Sequence, residues 1–212
     1  MLVTDSANVQ SLIDAVDTAD SATALIGAVR SLAAAQSPAA VTTLITVLGF
    51  NNPGAAVAAV DGLVALGQAA VPALLEQLDG YNYGARAWAI RALSMIGDPR
   101  ALDVLIETAR GDFALSVRRA AAKGLGGIDW DGLPDERRIP AQTLAIDTLL
   151  GALNDPEWVV RYAAIVGLSG LLAVRPQPDA AVENVRDRLA SCSRDDAEVV
   201  VRARAQMALM PQ

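Results

Sequence analysis

A chain of 212 residues with 53% hydrophobic, 4% aromatic and 19% charged residues can build a substantial core and is not the composition of a disordered polymer. Its formal charge of −7 makes it a poor ligand for phosphate backbones, so nucleic acid is not an expected partner. It contains no histidine and one cysteine, Cys192, which excludes a histidine-based triad, a histidine-bearing zinc site and an intramolecular disulfide.

The chain carries 42 alanines. Alanine is the best helix former and lets helices pack closely. Nothing alternates with period two over a useful length, so the expected fold is all-α. Residues 31–60 carry no formal charge, but Pro38, Asn51, Asn52 and Pro53 interrupt them. The apolar run from Ala39 to Phe50 is shorter than the roughly 20 residues a bilayer needs. It reads as a buried helix, lying under the N-terminal helix or against a partner, and no membrane span is expected. A single thiol and the lack of a signal peptide point to the cytoplasm.

Leucines near the ends of alanine-rich stretches recur at Leu32, Leu63, Leu93, Leu125, Leu168 and Leu209. The last four are preceded by an arginine seven residues earlier: Arg86, Arg118, Arg161 and Arg202. Six residues before three of these stands an aspartate: Asp112, Asp155 and Asp196. Each unit reads as two helices, with second helices over 38–49, 70–78, 141–153 and 178–191, and one carrying Leu102, Leu105, Ile106 and Ala109. A helix pair cannot bury its own apolar stripe, but a stack of pairs can. The expected architecture is therefore a right-handed α-solenoid (an α-α superhelix) forming one domain. Its approximate units are 8–50, 51–80, 81–112, 113–155 and 156–196, with 197–212 as a C-terminal cap. Two longer spacings mark insertions, read as loops: Ile128 to Pro140, and the segment Arg175-Pro176-Gln177-Pro178. The repeated Asp and Arg read as scaffold, the Asp capping a helix and the Arg tying neighbouring loops.

Sites belong where one unit departs from its siblings. Three of the eight aromatic residues fall in Tyr81-Asn82-Tyr83-Gly84-Ala85-Arg86-Ala87-Trp88. Trp130 stands in the first insertion, and Phe113, Trp158 and Tyr162 begin helices of other units. Most of these aromatics would line one edge of the stack, either as packing or as a groove for a flat ligand or a partner helix.

The segment Tyr81–Trp88, with Ala89-Ile90-Arg91-Ala92-Leu93, Ile96-Gly97-Asp98-Pro99-Arg100-Ala101-Leu102 and Asp112-Phe113-Ala114-Leu115-Ser116-Val117-Arg118-Arg119, resembles the phycobilisome-lyase type of HEAT repeat. Within that type it resembles the F-type subunits of the CpcE/CpcF family of phycocyanobilin lyases, over roughly residues 20–210. The resemblance implies a cyanobacterial heterodimer with a CpcE-like subunit. That heterodimer adds a cysteine thiol of the phycocyanin α subunit across the ethylidene group of phycocyanobilin, leaving a thioether. The bilin is then a substrate and no cofactor or metal is expected. The double-bond shift of the related lyase-isomerase is not expected, because its Asn-His-Cys-Gln-Gly-Asn motif is missing and Cys192 reads as a spectator thiol.

A bilin offers two propionates, a row of pyrrole nitrogens and a flat π system. Arg86, Arg91 and Arg118 are candidates for the propionates. Asp98 and Asp129 could accept pyrrole N–H bonds, although Asp98 before Pro99 also reads as a plain helix cap. Tyr81, Tyr83 and Trp88 offer ring faces, and Trp130 joins them as an aromatic of the insertion. These residues could contact the bilin or the partner subunit. The acceptor supplies the thiol, so no nucleophile is needed from this chain and catalysis would consist mainly of holding the bilin in position. The competing class is a non-catalytic HEAT-repeat binding module of phycobilisome assembly or degradation.

Overall fold

The computed structural model describes residues 6–78, 83–174 and 180–210, and within them every regular element is a helix. The chain divides into two compact units, residues 1–96 and 97–212.

The first unit contains α1 (Ser6–Asp17), α2 (Ala22–Ala34), α3 (Val41–Val47), α4 (Pro53–Leu66), α5 (Val71–Gln77) and α6 (Tyr83–Ile96). Its helix starts follow from the local chemistry. The Ser21 side chain accepts from the Ala24 N–H, and Asn52 accepts from the Ala55 N–H just ahead of Pro53 at the first helical position. The long helices stack, α2 on α4 and α4 on α6, while the short α3 and α5 pack against them. Ala55, Ala56, Ala59, Val60 and Leu63 of α4 are buried, as befits a helix flanked on several sides. The uncharged stretch holds α3, whose Leu44 and Val47 are fully buried, and α1 packs on α2 and touches the Pro38–Ala40 turn. The expected buried helix is thus present, covered by α4 and α5. Among the described residues no helix is long and apolar enough to cross a membrane.

The second unit contains α7 (Leu102–Gly111), α8 (Leu115–Leu125), α9 (Asp135–Ala152), α10 (Trp158–Val174), α11 (Ala180–Asp195) and α12 (Val199–Leu209). Here α8 packs on α10 and α10 on α12, with α7, α9 and α11 alongside. The α8–α10 contact is set by glycines: a Cβ on Gly170 would run into the Gly126 carbonyl, and one on Gly167 into the Ala122 carbonyl. Only hydrogen at these positions allows so close an approach. Leu125 and Leu168 are fully buried, as are Leu32, Leu63 and Leu93 in the first unit, which gives the recurring leucine its physical meaning.

The repeated Asp and Arg form a ladder along this unit. Arg118 donates through Nη1 to the carbonyls of Asp112 and Phe113, and through Nε and Nη2 to the carboxylate of Asp155 at 2.7 and 3.1 Å. Arg161 repeats the pattern with the carbonyls of Asp155 and Pro156 and the carboxylate of Asp196 at 2.8 and 2.9 Å. Each aspartate also accepts the N–H two residues onward: Ala114 for Asp112, Glu157 for Asp155 and Glu198 for Asp196.

The first insertion differs from the expected loop over 128–140. It is a 3-10 turn (Trp130–Gly132), after which α9 begins at Asp135 and takes Pro140 into its interior. Pro134 provides the start: its carbonyl accepts the N–H groups of Arg137 and Arg138, and Asp135 and Glu136 place negative charge at the helix's positive end. Pro140 lies close enough to that start that the one hydrogen bond it forfeits does not stop the helix. The second insertion, Arg175 to Pro178, lies outside the described residues; α11 begins after it and runs on to Asp195.

Candidate functional site

The buried face of α6 is formed by Ala85, Ala89, Ile90, Ala92 and Leu93, and the candidates lie outside that set. Tyr83 is exposed (67%), Arg86 and Trp88 are half-buried, and Arg91 is exposed. The guanidinium carbon of Arg91 sits 5.7 Å from the centre of the Trp88 ring. A separation of three residues brings such side chains together on a helix, and the cation is drawn to the ring's electron-rich face. Tyr81 lies outside the described residues.

Asp98, Asp129 and Trp130 come together in the second unit. The Asp129 N–H donates to the Gly97 carbonyl at 2.8 Å. Gly97 has φ +72, and a Cβ there would collide with the Gly127 carbonyl, so this loop–loop contact requires glycine. Asp98 is buried and fully engaged: it accepts from the Arg100 N–H at 2.9 Å, from Arg100 Nε at 2.8 Å and from Nη2 at 2.7 Å. The side-chain bond from Arg100 holds the Asp98 carboxyl below its ordinary pKa despite burial. It is the cap of the Pro99–Ala101 turn. Asp129 is exposed and makes no side-chain cap.

Trp130 and Asp129 border a cavity of about 590 Å³. That volume falls within the roughly 300–1,000 Å³ of small-molecule sites. Ile128, Ile139 and Val174 give it apolar walls, and Asp131, Asp135 and Arg138 join Asp129 at its rim. Arg138 braces the turn by donating to the Trp130 carbonyl at 3.0 Å and the Leu133 carbonyl at 3.4 Å, with Asp135 3.0 Å away. Two wall residues are nearly inaccessible, Trp130 at 4% and Gln142 at 1%, and each has a buried polar atom that finds no hydrogen-bond partner among the described residues: the indole Nε1 and the amide Oε1. Buried polar atoms are normally paired, so two unpaired ones on residues of one cavity wall mark it out from ordinary packing. Three aspartates against one arginine suit a ligand rich in N–H donors. Sequence reasoning missed Arg138 and Gln142. Their signal was a polar residue at an inward position of α9, hidden because Pro140 obscured where that helix begins.

Trp130 is not part of the edge formed by the other aromatics of its unit. Phe113 precedes α8 and Trp158 opens α10; both are exposed, with Tyr162, at the end of the helices braced by Arg118 and Arg161. Trp130 follows the C-terminus of α8, about 16 Å away at 1.5 Å per helical residue. Arg118 is committed to Asp155 and two carbonyls, which removes it from the propionate candidates. Cys192 is half-buried, and burial pushes its thiol pKa up, against any role as a thiolate.

Stacked helix pairs of this kind are HEAT repeats, and a HEAT-repeat profile matches residues 56–126. The phycocyanin alpha phycocyanobilin lyase CpcF of Synechocystis sp. (strain PCC 6803) is 63% identical over 163 residues, covering 77% of this chain and 76% of that protein. The phycocyanobilin lyase subunit beta of Nostoc sp. (strain PCC 7120) is 52% identical over 199 residues, covering 93% and 96%. A solved chain from the complex of CpcE and CpcF of phycocyanin lyase from Nostoc sp. PCC7120 superposes with a TM-score of 0.75 at 52% identity, over 82% of this chain and all of that one. The chain belongs to the CpcF family of phycocyanobilin lyase subunits.

Proposed function

We propose that this chain is the F-type subunit of a heterodimeric bilin lyase. With a CpcE-like subunit, it attaches phycocyanobilin through a thioether to a cysteine of the phycocyanin α subunit, in the cyanobacterial cytoplasm. The kinship with CpcF at 63% identity carries this reading. The chemistry of the chain is compatible with it. The acceptor's sulfur forms the new bond to the ethylidene carbon, the ethylidene double bond is consumed, and a proton ends on the neighbouring ring carbon. This chain then needs to bind and orient the bilin, not to supply a nucleophile.

The cavity beside Trp130 is the place we assign to one end of the bilin. Its aspartates are suited to the pyrrole N–H groups, and a carboxylate there would favour the protonated, more electrophilic bilin. Tyr83, Arg86, Trp88 and Arg91 of α6 are candidate contacts of the first unit taken by itself, to bilin or to the partner subunit, with Tyr81 beside them in sequence. Asp98 holds the turn at Pro99 rather than the ligand, since its carboxylate is already spent on Arg100.

The test is reconstitution of this chain with an E-type subunit, the α-phycocyanin polypeptide and phycocyanobilin, followed by absorbance in acidic urea. Covalent chromophore that disappears when this chain is omitted supports the reading. Covalent chromophore formed equally well without it would make the chain a non-catalytic module of phycobilisome assembly or degradation.

A further inference from the structure

Gln142 stands where the fold calls for an apolar side chain. It heads the inward stripe of α9 that continues through Ala145, Ile146 and Leu149, all buried and apolar. Its amide oxygen finds no partner among the described residues, and neither does the indole N–H of Trp130 on the same cavity wall. One atom is an acceptor and the other a donor. Each unpaired buried polar atom costs stability that an apolar residue would not. A ligand group with one donor beside one acceptor removes both deficits.

The turn that carries Trp130 is held from two sides. The Asp129 N–H donates to the Gly97 carbonyl at 2.8 Å, and Arg138 Nε donates to the Trp130 carbonyl at 3.0 Å. The indole is thereby fixed in place. The Gln142 amide instead ends three rotatable bonds, and its last torsion is soft, so its oxygen can turn to a group that enters the cavity.

The parts of a bilin differ in what they offer this wall. The two inner rings carry the propionates, which a rim of Asp129, Asp131 and Asp135 against the single Arg138 disfavours. Each terminal ring is a lactam: an N–H donor next to a carbonyl acceptor, with alkyl groups elsewhere. Such a ring matches the amide oxygen, the indole N–H and the apolar walls together. Only one of the two terminal rings carries the ethylidene carbon that the acceptor's thiol attacks. Trp130 and Gln142 are nearly inaccessible, so a ring seated on them is beyond the reach of a thiol borne on another protein.

We infer that this cavity is the subsite for the non-reacting terminal lactam of the bilin, whose N–H donates to Gln142 Oε1 and whose carbonyl accepts from Trp130 Nε1. Anchoring that end leaves the ethylidene ring projecting from the cavity in a fixed pose for the incoming thiol. The inference rests on the lyase reading above and names the end of the substrate that this unit holds.

The test measures bilin binding, by absorbance titration, to the lyase reconstituted from this chain and an E-type subunit. The probes are phycocyanobilin and its two lactim ethers, each methylated on the oxygen of one terminal ring, which removes that ring's N–H. Wild type should bind the ether of the non-reacting ring about tenfold more weakly than phycocyanobilin. Gln142→Leu should bind phycocyanobilin about tenfold more weakly than wild type does and no longer tell it from that ether, at an undiminished melting temperature. Trp130→Phe keeps an aromatic body without the N–H and should weaken phycocyanobilin binding in the same direction, which keeps the inference testable if one variant folds poorly. Unchanged affinity for phycocyanobilin in the folded variants, or discrimination at the non-reacting ring that survives in Gln142→Leu, would overturn the inference and leave the lyase reading standing. Discrimination at the ethylidene ring that Gln142→Leu abolishes would place the reacting ring in the cavity and overturn it too. No binding of bilin to the wild-type complex would overturn both.

Discussion

Arg118 and Asp155 are 37 residues apart in the chain and 2.7 Å apart in the fold, and the same relationship recurs between Arg161 and Asp196. Each aspartate caps its own helix start while anchoring the arginine of the repeat before it. One carboxylate thus fixes both a local turn and the register between neighbouring repeats. Both pairs have little solvent access, with side-chain exposures of 13% and 9% for Arg118 and Asp155.

Arg161→Ala should therefore cost about 3 kcal/mol, because it leaves the Asp196 carboxylate and two carbonyls short of donors. For a chain of this size that lowers the melting temperature by about 6–12 °C. Arg119→Ala, at an exposed position on α8, should change it by no more than about 2 °C. Thermal unfolding followed by circular dichroism checks the pair.

The ladder also sets the response to acid. Burial alone would raise the Asp155 carboxyl, but hydrogen bonds from Arg118 and the Glu157 N–H bring it below its ordinary value. The Asp196 carboxyl is lowered chiefly by Arg161. A carboxyl with a depressed folded pKa adds stability that is complete above its unfolded pKa, about 3.9, and is lost as pH falls through the folded value. Stability should be flat in this contribution above about pH 5 and fall below about pH 4. In Asp155→Asn/Asp196→Asn the acid-sensitive part should shrink. Urea midpoints between pH 7 and pH 3 measure it.

Close packing of α8 on α10 predicts a steric effect with no charge involved. Gly170→Ala places a methyl against the Gly126 carbonyl and should cost about 1–3 kcal/mol. Gly151→Ala, where a Cβ meets nothing within 4 Å on the exposed side of α9, should be neutral or stabilising. Melting temperatures of the two variants should move apart.

The cavity and the α6 patch separate function from stability. Gln142→Leu removes a buried, unpartnered acceptor, so it should leave the melting temperature unchanged or raise it while reducing bilin attachment. Trp88→Ala should reduce attachment with the fold intact. Arg86→Ala carries more structural risk, at roughly 1–3 kcal/mol if it strands a buried acceptor. Attachment rate and melting temperature, taken on all three, distinguish a ligand contact from a packing residue.

The repeat was legible in the sequence because it rests on residues that do the same job each time. Leu125 and Leu168 fill equivalent core positions, and Asp155 and Asp196 make equivalent bonds. The cavity was only half legible. Asp129 and Trp130 stood out by composition, but Trp130 is buried at the opposite end of α8 from Phe113, because the 3-10 turn folds it back against the start of α9. Gln142 and Arg138 stayed hidden, since a proline six residues into a helix reads as a loop. Arg202 was legible as a member of the ladder.

The central claim is that this chain takes part in forming the thioether between phycocyanobilin and the α subunit of phycocyanin. The most direct measurement is the mass of the α-subunit peptide carrying the acceptor cysteine, after reaction with bilin, E-type subunit and this chain. The account predicts a peptide heavier by one whole phycocyanobilin, with the unmodified peptide alone recovered when this chain is left out. Equal modification in both reactions would contradict it.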